Sequence, residues 1–302
     1  MGDHDMLEAM LMTTPQKAAG VWGVYAPGPS GYQGACAATI DDKIYAYGGF
    51  FGSTYNNTLR CYDPVTDTWS VKASGFAGRW LALLAAVNGK LYLYGGSGSS
   101  GAINELRIYD PVTNTWTSKA SPVARYNAGV AAVGNKIYYA AGITSSIHSV
   151  AMTCYDTVAN TWVDLAPFPT KRFRFAMTAV GTKIYAYGGI NPELGVYYRD
   201  LWCYDTVANT WTQLPDGPPT RHSFTLVTLN DKVYLYGGVN LTVGYLQELW
   251  CYDPVAGDWT PLESSGTPRG YHYAAVANGK MFVGQGNGPS APPTTTQGYT
   301  PA

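Results

Sequence analysis

Five arginines recur along the chain at one position of a repeating pattern, because each is followed eleven residues later by a lysine. The five are Arg79, Arg125, Arg172, Arg221 and Arg269. A guanidinium is a planar fork of N–H donors that suits a carboxylate, phosphate or sulfate. If these side chains meet in a concave mouth, their combined field attracts anions. The spacing therefore predicts a ring of arginines on one face of the protein.

The residues beside these arginines are mostly aromatic or basic, and Tyr32 takes the arginine's place in the first repeat. The further candidates for ligand contact are Trp80, Tyr126, Arg174, His222, Tyr271 and His272. Aromatic faces suit a sugar or an aromatic ring, and basic groups among them suit an acidic peptide. The pattern predicts a binding face for an acidic peptide or protein segment, or for an anionic or aromatic small molecule.

An enzymatic alternative uses the same face. His222, Tyr271 and His272 could move protons while arginines hold an acidic substrate. The four histidines of the chain show no metal-binding spacing, so no metal is predicted. Walker, dinucleotide and nucleophile-elbow motifs are absent, and no cofactor is predicted.

The composition excludes several classes of protein. Only 13% of the 302 residues are charged and the net charge is −1, which is unlike a nucleic-acid-binding protein. No stretch of apolar residues is long enough to span a membrane. We expect residues 1–14 to form a tail or a short helix, and residues 15–302 to form one domain. This chain shows no signal peptide, which favours the cytoplasm, and we expect a monomer or a subunit of an assembly.

Six tryptophans set the period of the chain. Trp22, Trp69, Trp116, Trp162, Trp211 and Trp259 are separated by 47, 47, 46, 49 and 48 residues. Within each unit, short alternating or apolar runs bounded by Gly and Pro favour four strands over helices. Four-stranded units of this length are typical of the blades of a β-propeller.

The unit resembles a kelch repeat. The resemblance depends on double glycines such as Gly48–Gly49, on Tyr-Asp pairs such as Tyr62–Asp63, and on the spaced tryptophans, from about Trp22 to Tyr299. It implies an all-β fold, a six-bladed kelch β-propeller with four antiparallel strands in each blade. It also implies that the ligand-binding loops join strands four and one, and strands two and three.

The two ends of the chain complement each other. Tyr299 lies 19 residues after Lys280, as Tyr62 lies 19 after Lys43, but no tryptophan follows Tyr299. We therefore expect the N-terminal segment around Trp22 to be the outermost strand of the last blade. Pairing of the two ends would close the ring and remove a seam of open edges.

Two further resemblances suggest enzymatic alternatives. Arg269-Gly270-Tyr271-His272 and Gly31-Tyr32-Gln33 are similar to pocket segments of the galactose oxidase family, which implies a copper radical oxidase as a minor alternative. Sialic acid mutarotases are also six-bladed kelch proteins, which implies a sugar mutarotase or epimerase, or an isomerase or cyclase. Many kelch propellers instead bind a protein segment, and we take ligand recognition as the leading prediction.

Overall fold

A computed structural model describes residues 20–28, 31–74, 76–144, 147–290 and 292–302. The predicted tail or short helix at residues 1–14 lies outside these residues. The described part of the chain consists of strands and turns, which confirms the all-β prediction. No helix in these ranges is long and apolar enough to cross a membrane.

The long strands form six antiparallel sheets of four strands each in the described ranges. Strands are numbered in chain order, and the first of them, β1 (Val21–Tyr25), belongs to sheet 6. Sheet 1 contains β2 (Cys36–Ile40), β3 (Lys43–Tyr47), β6 (Leu59–Asp63) and β7 (Thr68–Val71). Sheet 2 contains β8 (Leu83–Val87), β9 (Lys90–Tyr94), β12 (Leu106–Asp110) and β13 (Thr115–Lys119). Sheet 3 contains β15 (Gly129–Val133), β16 (Lys136–Ala140), β19 (Met152–Asp156) and β20 (Thr161–Leu165).

The remaining sheets repeat this order. Sheet 4 contains β21 (Ala176–Val180), β22 (Lys183–Tyr187), β25 (Leu201–Asp205) and β26 (Thr210–Leu214). Sheet 5 contains β27 (Thr225–Leu229), β28 (Lys232–Tyr236), β31 (Leu249–Asp253) and β32 (Asp258–Leu262). Sheet 6 is completed by β33 (Tyr273–Ala277), β34 (Lys280–Gly284) and β35 (Thr296–Thr300).

Short strands extend one end of the sheets, where strand two of a sheet leads to strand three. They are β4 (Phe50–Phe51), β5 (Thr54–Tyr55), β10 (Ser97–Gly98), β11 (Gly101–Ala102), β17 (Ile143–Thr144), β18 (Ile147–His148), β23 (Ile190–Asn191), β24 (Val196–Tyr197), β29 (Val239–Asn240) and β30 (Gly244–Tyr245). One more short strand, β14 (Arg125–Tyr126), lies in the loop before sheet 3 and pairs with β17.

The first strands of the sheets lie against one another. β2 contacts β8 and β33. The other first strands contact one another in order, β8 with β15, β15 with β21, β21 with β27, and β27 with β33. A cavity lined by residues of all six first strands lies between them, and its walls are mainly alanine, threonine and valine. The core lies between adjacent sheets, where the strand-two tyrosines Tyr47, Tyr94, Tyr139, Tyr187 and Tyr236 are buried.

The tyrosine-aspartate motif and the spaced tryptophan connect neighbouring repeats. Asp63 accepts hydrogen bonds from the N–H groups of Val65 and Thr66, as turn aspartates do. The Trp116 indole N–H donates to the carbonyl of Ala73 in the preceding repeat at 2.7 Å. The same indole bond is made by Trp69, Trp162 and Trp211. These contacts give the turn aspartate and the spaced tryptophan structural roles.

Cysteines occupy one buried position of the repeat. Cys61, Cys154, Cys203 and Cys251 are buried and free, as expected for small apolar residues on separate sheets. Burial raises the pKa of Cys154 to about 11, so its thiol stays protonated.

β1 is packed as an outer strand of sheet 6 even though it is far away in sequence. It pairs with β35 over its whole length, from Val21 opposite Thr300 to Tyr25 opposite Thr296. The indole of Trp22 packs on Tyr236 and Tyr299 and donates to the carbonyl of Glu263 at 2.8 Å.

Replacement of Trp22 tests how much β1 contributes to the fold. We expect Trp22→Ala to lower the free energy of unfolding by about 3 kcal/mol, because large aromatic truncations at packed sites cost about that much. Val21→Ala is the control in the same strand, since Val21 is exposed and should change the free energy by less than about 0.5 kcal/mol. Equal urea-unfolding midpoints for the two variants would contradict this packing role.

Candidate functional site

Six residues, one from each repeat, form a hydrogen-bonded circle just before the first strands of the six sheets. We call them the rim: Gly34, Leu81, Asn127, Arg174, Ser223 and Tyr271. Each rim N–H donates to the carbonyl of the rim residue in the preceding repeat, and Gly34 donates to Tyr271, at 2.7 to 3.2 Å. Because the circle uses only backbone atoms, the side chains are free to differ between repeats.

The rim backbone favours glycine, yet large side chains occupy it. All six rim residues have positive φ, including 53° at Leu81, 57° at Arg174 and 55° at Tyr271. A residue with a Cβ pays about 1 kcal/mol or more for the left-handed conformation. Leu81, Arg174 and Tyr271 are therefore held there against a local cost, which is a feature of functional sites.

Aromatic side chains surround the rim one residue earlier in the sequence. Trp80, Tyr126, Phe173 and His222 each pair through the backbone with the residue that follows the glycine pair of the same repeat. Gln33 and Gly270 take this place in the first and last repeats. These pairings join the two predicted sets of loops, so both contribute to one face.

The five repeated arginines are buried inside this face, with exposed fractions of 0 to 1%. One guanidinium nitrogen of each donates to a carbonyl sixteen residues later, as Arg79 does to Gly95 and Arg221 does to Gly237. The same bonds run from Arg125, Arg172 and Arg269. This burial corrects the prediction that these five arginines contact a ligand, because their guanidinium donors bind loop carbonyls of the protein itself.

A carboxylate completes three of these braces. Arg79 pairs with Glu105, Arg172 with Asp200 through two 2.7 Å bonds, and Arg221 with Glu248. The other two arginines have neutral partners. Arg269 donates to the side chains of Thr295 and Gln297, whereas Arg125 donates to the carbonyls of Ala141 and Ala151.

Arg125 has too few partners for a buried guanidinium. Its Nε and Nη2 atoms are buried without a hydrogen-bond partner in the described ranges. Ala151 stands at the position that Asp200 and Glu248 occupy in the next two repeats. Burial lowers the pKa of Arg125, in agreement with a poorly compensated charge.

The exception among the arginines of this face is Arg174, which belongs to the rim. Its guanidinium lies 5.2 Å from the ring centroids of both Phe173 and Tyr271. It forms no ion pair with a described residue, and its Nε atom has no hydrogen-bond partner there. Arg174 thus offers a partly exposed positive charge between two aromatic rings.

Two further basic groups near this face share one carboxylate. Lys171 binds Glu193 at 2.9 Å, and His148 lies 3.5 Å from the same carboxylate. The Lys171 ammonium lowers the pKa of Glu193. This group bridges neighbouring repeats, with the ring of His148 5.3 Å from that of Phe173.

An apolar cavity of about 190 Å³ lies directly beneath the rim. Its walls include Leu81, Phe175, Met177, Phe224 and Ala35, and Arg174 and Tyr271 lie at its edge. The cavity shares wall residues with the one between the first strands. It can take an apolar group, while the rim can take a charged one.

The two candidate catalytic histidines are buried and neutral. Burial, assisted by the charge of Arg174, lowers the pKa of His222 to about 4. His272 is 5% exposed, bonds to the Thr225 hydroxyl at 3.0 Å and packs edge-on against Tyr236. Burial lowers its pKa well below the usual value. Neither group is poised near neutral pH, so no observation favours the acid–base alternative over recognition.

Residues suggested for copper binding are directed to different places. Tyr271 is at the rim beside Arg174, His272 is enclosed by Tyr236 and Thr225, and Tyr32 packs on Phe51. The thiol of Cys36, which a tyrosine crosslink would need, donates to the Tyr47 carbonyl. No cluster of three or more His, Cys, Asp or Glu side chains occurs in the described ranges. The observed contacts give no support to the copper alternative.

Sequence reasoning found part of the rim. Arg174 and Tyr271 were candidates, but Gly34, Leu81, Asn127 and Ser223 were not. The signal was available, because all of them lie two residues after the arginine position or its equivalent, Tyr32. The variety of residue types at that single register distinguishes it from the constant structural positions.

Comparison with protein families agrees with this architecture. The model of the KLHDC2/KLHL20/DRC7 kelch-repeats domain matches residues 25–189 and 167–292. The chain belongs to the kelch-repeat family. Its sheets are those of a kelch β-propeller, a fold that serves as a protein-interaction module. Comparison with curated proteins gave no match.

The brace of Arg125 in this kelch chain predicts a stabilising substitution. Ala151→Asp should raise the free energy of unfolding by about 1 kcal/mol, because it supplies the carboxylate that Arg172 has in Asp200. Urea unfolding measures the change. Ala151→Asn is the matched control, since it has the same shape but no charge. An equal gain from both variants would show that charge compensation of Arg125 is not the cause.

Burial of His272 predicts a loss of stability in acid. The unfolded chain binds a proton at His272 below about pH 6.5, whereas the folded chain does so only at much lower pH. Its contribution to stability is therefore full above about pH 6.5 and is lost progressively as the pH falls below that value. His272→Gln should remove that share of the pH dependence.

Urea unfolding at pH 5, 7 and 8 measures the effect. Between pH 7 and 8 the difference between wild type and His272→Gln should stay constant, because the histidine is neutral in both states. An unchanged drop from pH 7 to pH 5 in the variant would contradict a neutral buried His272.

Proposed function

We propose that this chain is a recognition module that binds an acidic segment of a partner protein at the rim. The observation that carries the proposal is Arg174, a partly exposed guanidinium between Phe173 and Tyr271 with no ion pair to a described residue. A carboxylate placed there gains a charge-assisted hydrogen bond. Aromatic residues and arginine are also the side chains that most often dominate binding energy in protein interfaces.

The shape of the face supports a polypeptide ligand. Trp80, Tyr126 and Phe173 directly precede rim residues and pair through the backbone with the loops between strands two and three. Phe51 is 53% exposed on one such hairpin. An extended segment could contact the loops of several repeats at once, whereas a small molecule would reach only the rim and the cavity beneath it.

We further propose that the six sheets are the six blades of one closed ring, with β1 as the outer strand of the last blade. Two closed series of backbone bonds support this. One is the rim. In the other, the backbone N–H of the second glycine of each pair, or of Gly142 and Gly286 in the repeats without a pair, donates to a carbonyl of the next repeat. The acceptor is the carbonyl of the residue at the arginine position. Gly49 donates to Arg79 in this way, and Gly286 of the last repeat donates to Tyr32 of the first.

A selection from a random twelve-residue peptide library displayed on phage tests the binding proposal. We expect enrichment of Asp or Glu close to aromatic residues. Synthetic peptides from the selection should bind Arg174→Gln at least ten-fold more weakly, because a hydrogen bond to a charged group is worth about 1.5–3 kcal/mol.

Lys119→Gln is the matched control for net charge, since Lys119 is exposed on the outer strand β13 of sheet 2. It should bind the selected peptides as wild type does. Peptides without acidic residues, or an equal affinity for Arg174→Gln and wild type, would reject the proposal. Failure to select any peptide, together with binding of a small acid at the rim, would favour a small-molecule ligand.

A further inference from the structure

The apolar cavity beneath the rim suggests what accompanies the acidic group. Its volume is about 190 Å³, and Leu81, Phe175, Met177 and Phe224 contribute to its walls. An apolar cavity of about 150 Å³ in a protein interior can bind benzene. The space is therefore sufficient for one aromatic ring, and burial of a ring there removes apolar surface from water on both sides.

The rim and the cavity form two adjacent subsites of opposite character. Arg174 lies at the edge of the cavity, and its guanidinium is positioned over the ring of Tyr271. A ligand that places a ring in the cavity can therefore present an adjacent polar group to this guanidinium. Leu81 and Tyr271, which keep large side chains in a conformation that favours glycine, line the same cavity.

We propose, on the basis of the proposed function, that the partner segment inserts an aromatic side chain into the cavity below the rim and pairs an adjacent carboxylate with Arg174. The ring makes the apolar contact in the cavity, and the ion pair between the carboxylate and Arg174 fixes the orientation of the segment. The ligand class is an aromatic residue next to an acidic group. The minimal probe with both features is 3-phenylpropionate.

Three small probes separate the contributions in the wild-type chain. NMR titration or calorimetry should show that 3-phenylpropionate binds at least ten-fold more tightly than propionate, which lacks the ring. It should also bind at least ten-fold more tightly than 3-phenylpropanol, which lacks the charge. Equal affinity for 3-phenylpropionate and propionate would overturn the ring subsite, and equal affinity for the acid and the alcohol would overturn the role of Arg174.

Two substitutions assign the subsites. Arg174→Gln should weaken 3-phenylpropionate to the level of 3-phenylpropanol and leave the alcohol unchanged. Ala37→Leu, which fills part of the cavity wall, should weaken both ring-containing probes and leave propionate unchanged. If Ala37→Leu loses its native near-ultraviolet spectrum, Ala274→Val on β33 gives the same test with a smaller group. Full affinity for 3-phenylpropionate in a folded filled variant would overturn the proposal.

Competition distinguishes this inference from the proposed function. Displacement of a library-selected peptide by 3-phenylpropionate supports both. If the peptide depends on Arg174 but 3-phenylpropionate does not displace it, the ring subsite is rejected and the proposed function remains. If 3-phenylpropionate binds through Arg174 but no peptide can be selected, a protein segment is rejected as the occupant.

Discussion

The fold of this loop face depends on a buried arginine in five of the six repeats. The guanidinium of Arg172 binds the carbonyl of Gly188 in its own repeat, while its backbone carbonyl accepts the N–H of Gly142 from the preceding repeat. One residue thus fixes the loop of its own sheet and joins it to the sheet before. Such a buried charge is stable only with good partners, which explains why Asp200 and Thr170 also bind it. These hydrogen bonds hold the loops of the face in place.

Because these hydrogen bonds use arginine side chains and backbone atoms, the side chains of the rim can vary while its circle of backbone hydrogen bonds is kept. The rim bonds connect main-chain N–H and carbonyl groups in all six repeats, from Gly34 to Tyr271. The side chain at each rim position is therefore unconstrained by the circle itself. Leucine, asparagine, arginine, serine and tyrosine can all occur there, and each adds a different contact to the same opening.

The sequence predicted the strands, the period and the position of the arginines, because these depend on local pattern and spacing. It predicted the wrong role for Arg79 and its equivalents, because the partner of each arginine lies 26 to 28 residues away and its residue type changes from repeat to repeat. Spacing shows that five arginines share one register but not whether they face solvent. Leu81 was missed for the opposite reason, since an isolated leucine in a loop carries no chemical signal.

The low charge of the chain acquires a specific meaning from these contacts. Several other basic residues that approach the face are matched by a carboxylate, Arg79 by Glu105 and Lys171 by Glu193, whereas Arg125 and Arg269 are buried with neutral partners. Arg174 is different, because its neighbours are aromatic rings that attract a cation but leave its charge uncompensated. A near-neutral protein can therefore present a partly exposed positive group at the edge of an apolar cavity. In the proposed complex, selectivity for an anion depends on Arg174, and affinity depends on the apolar surface around it.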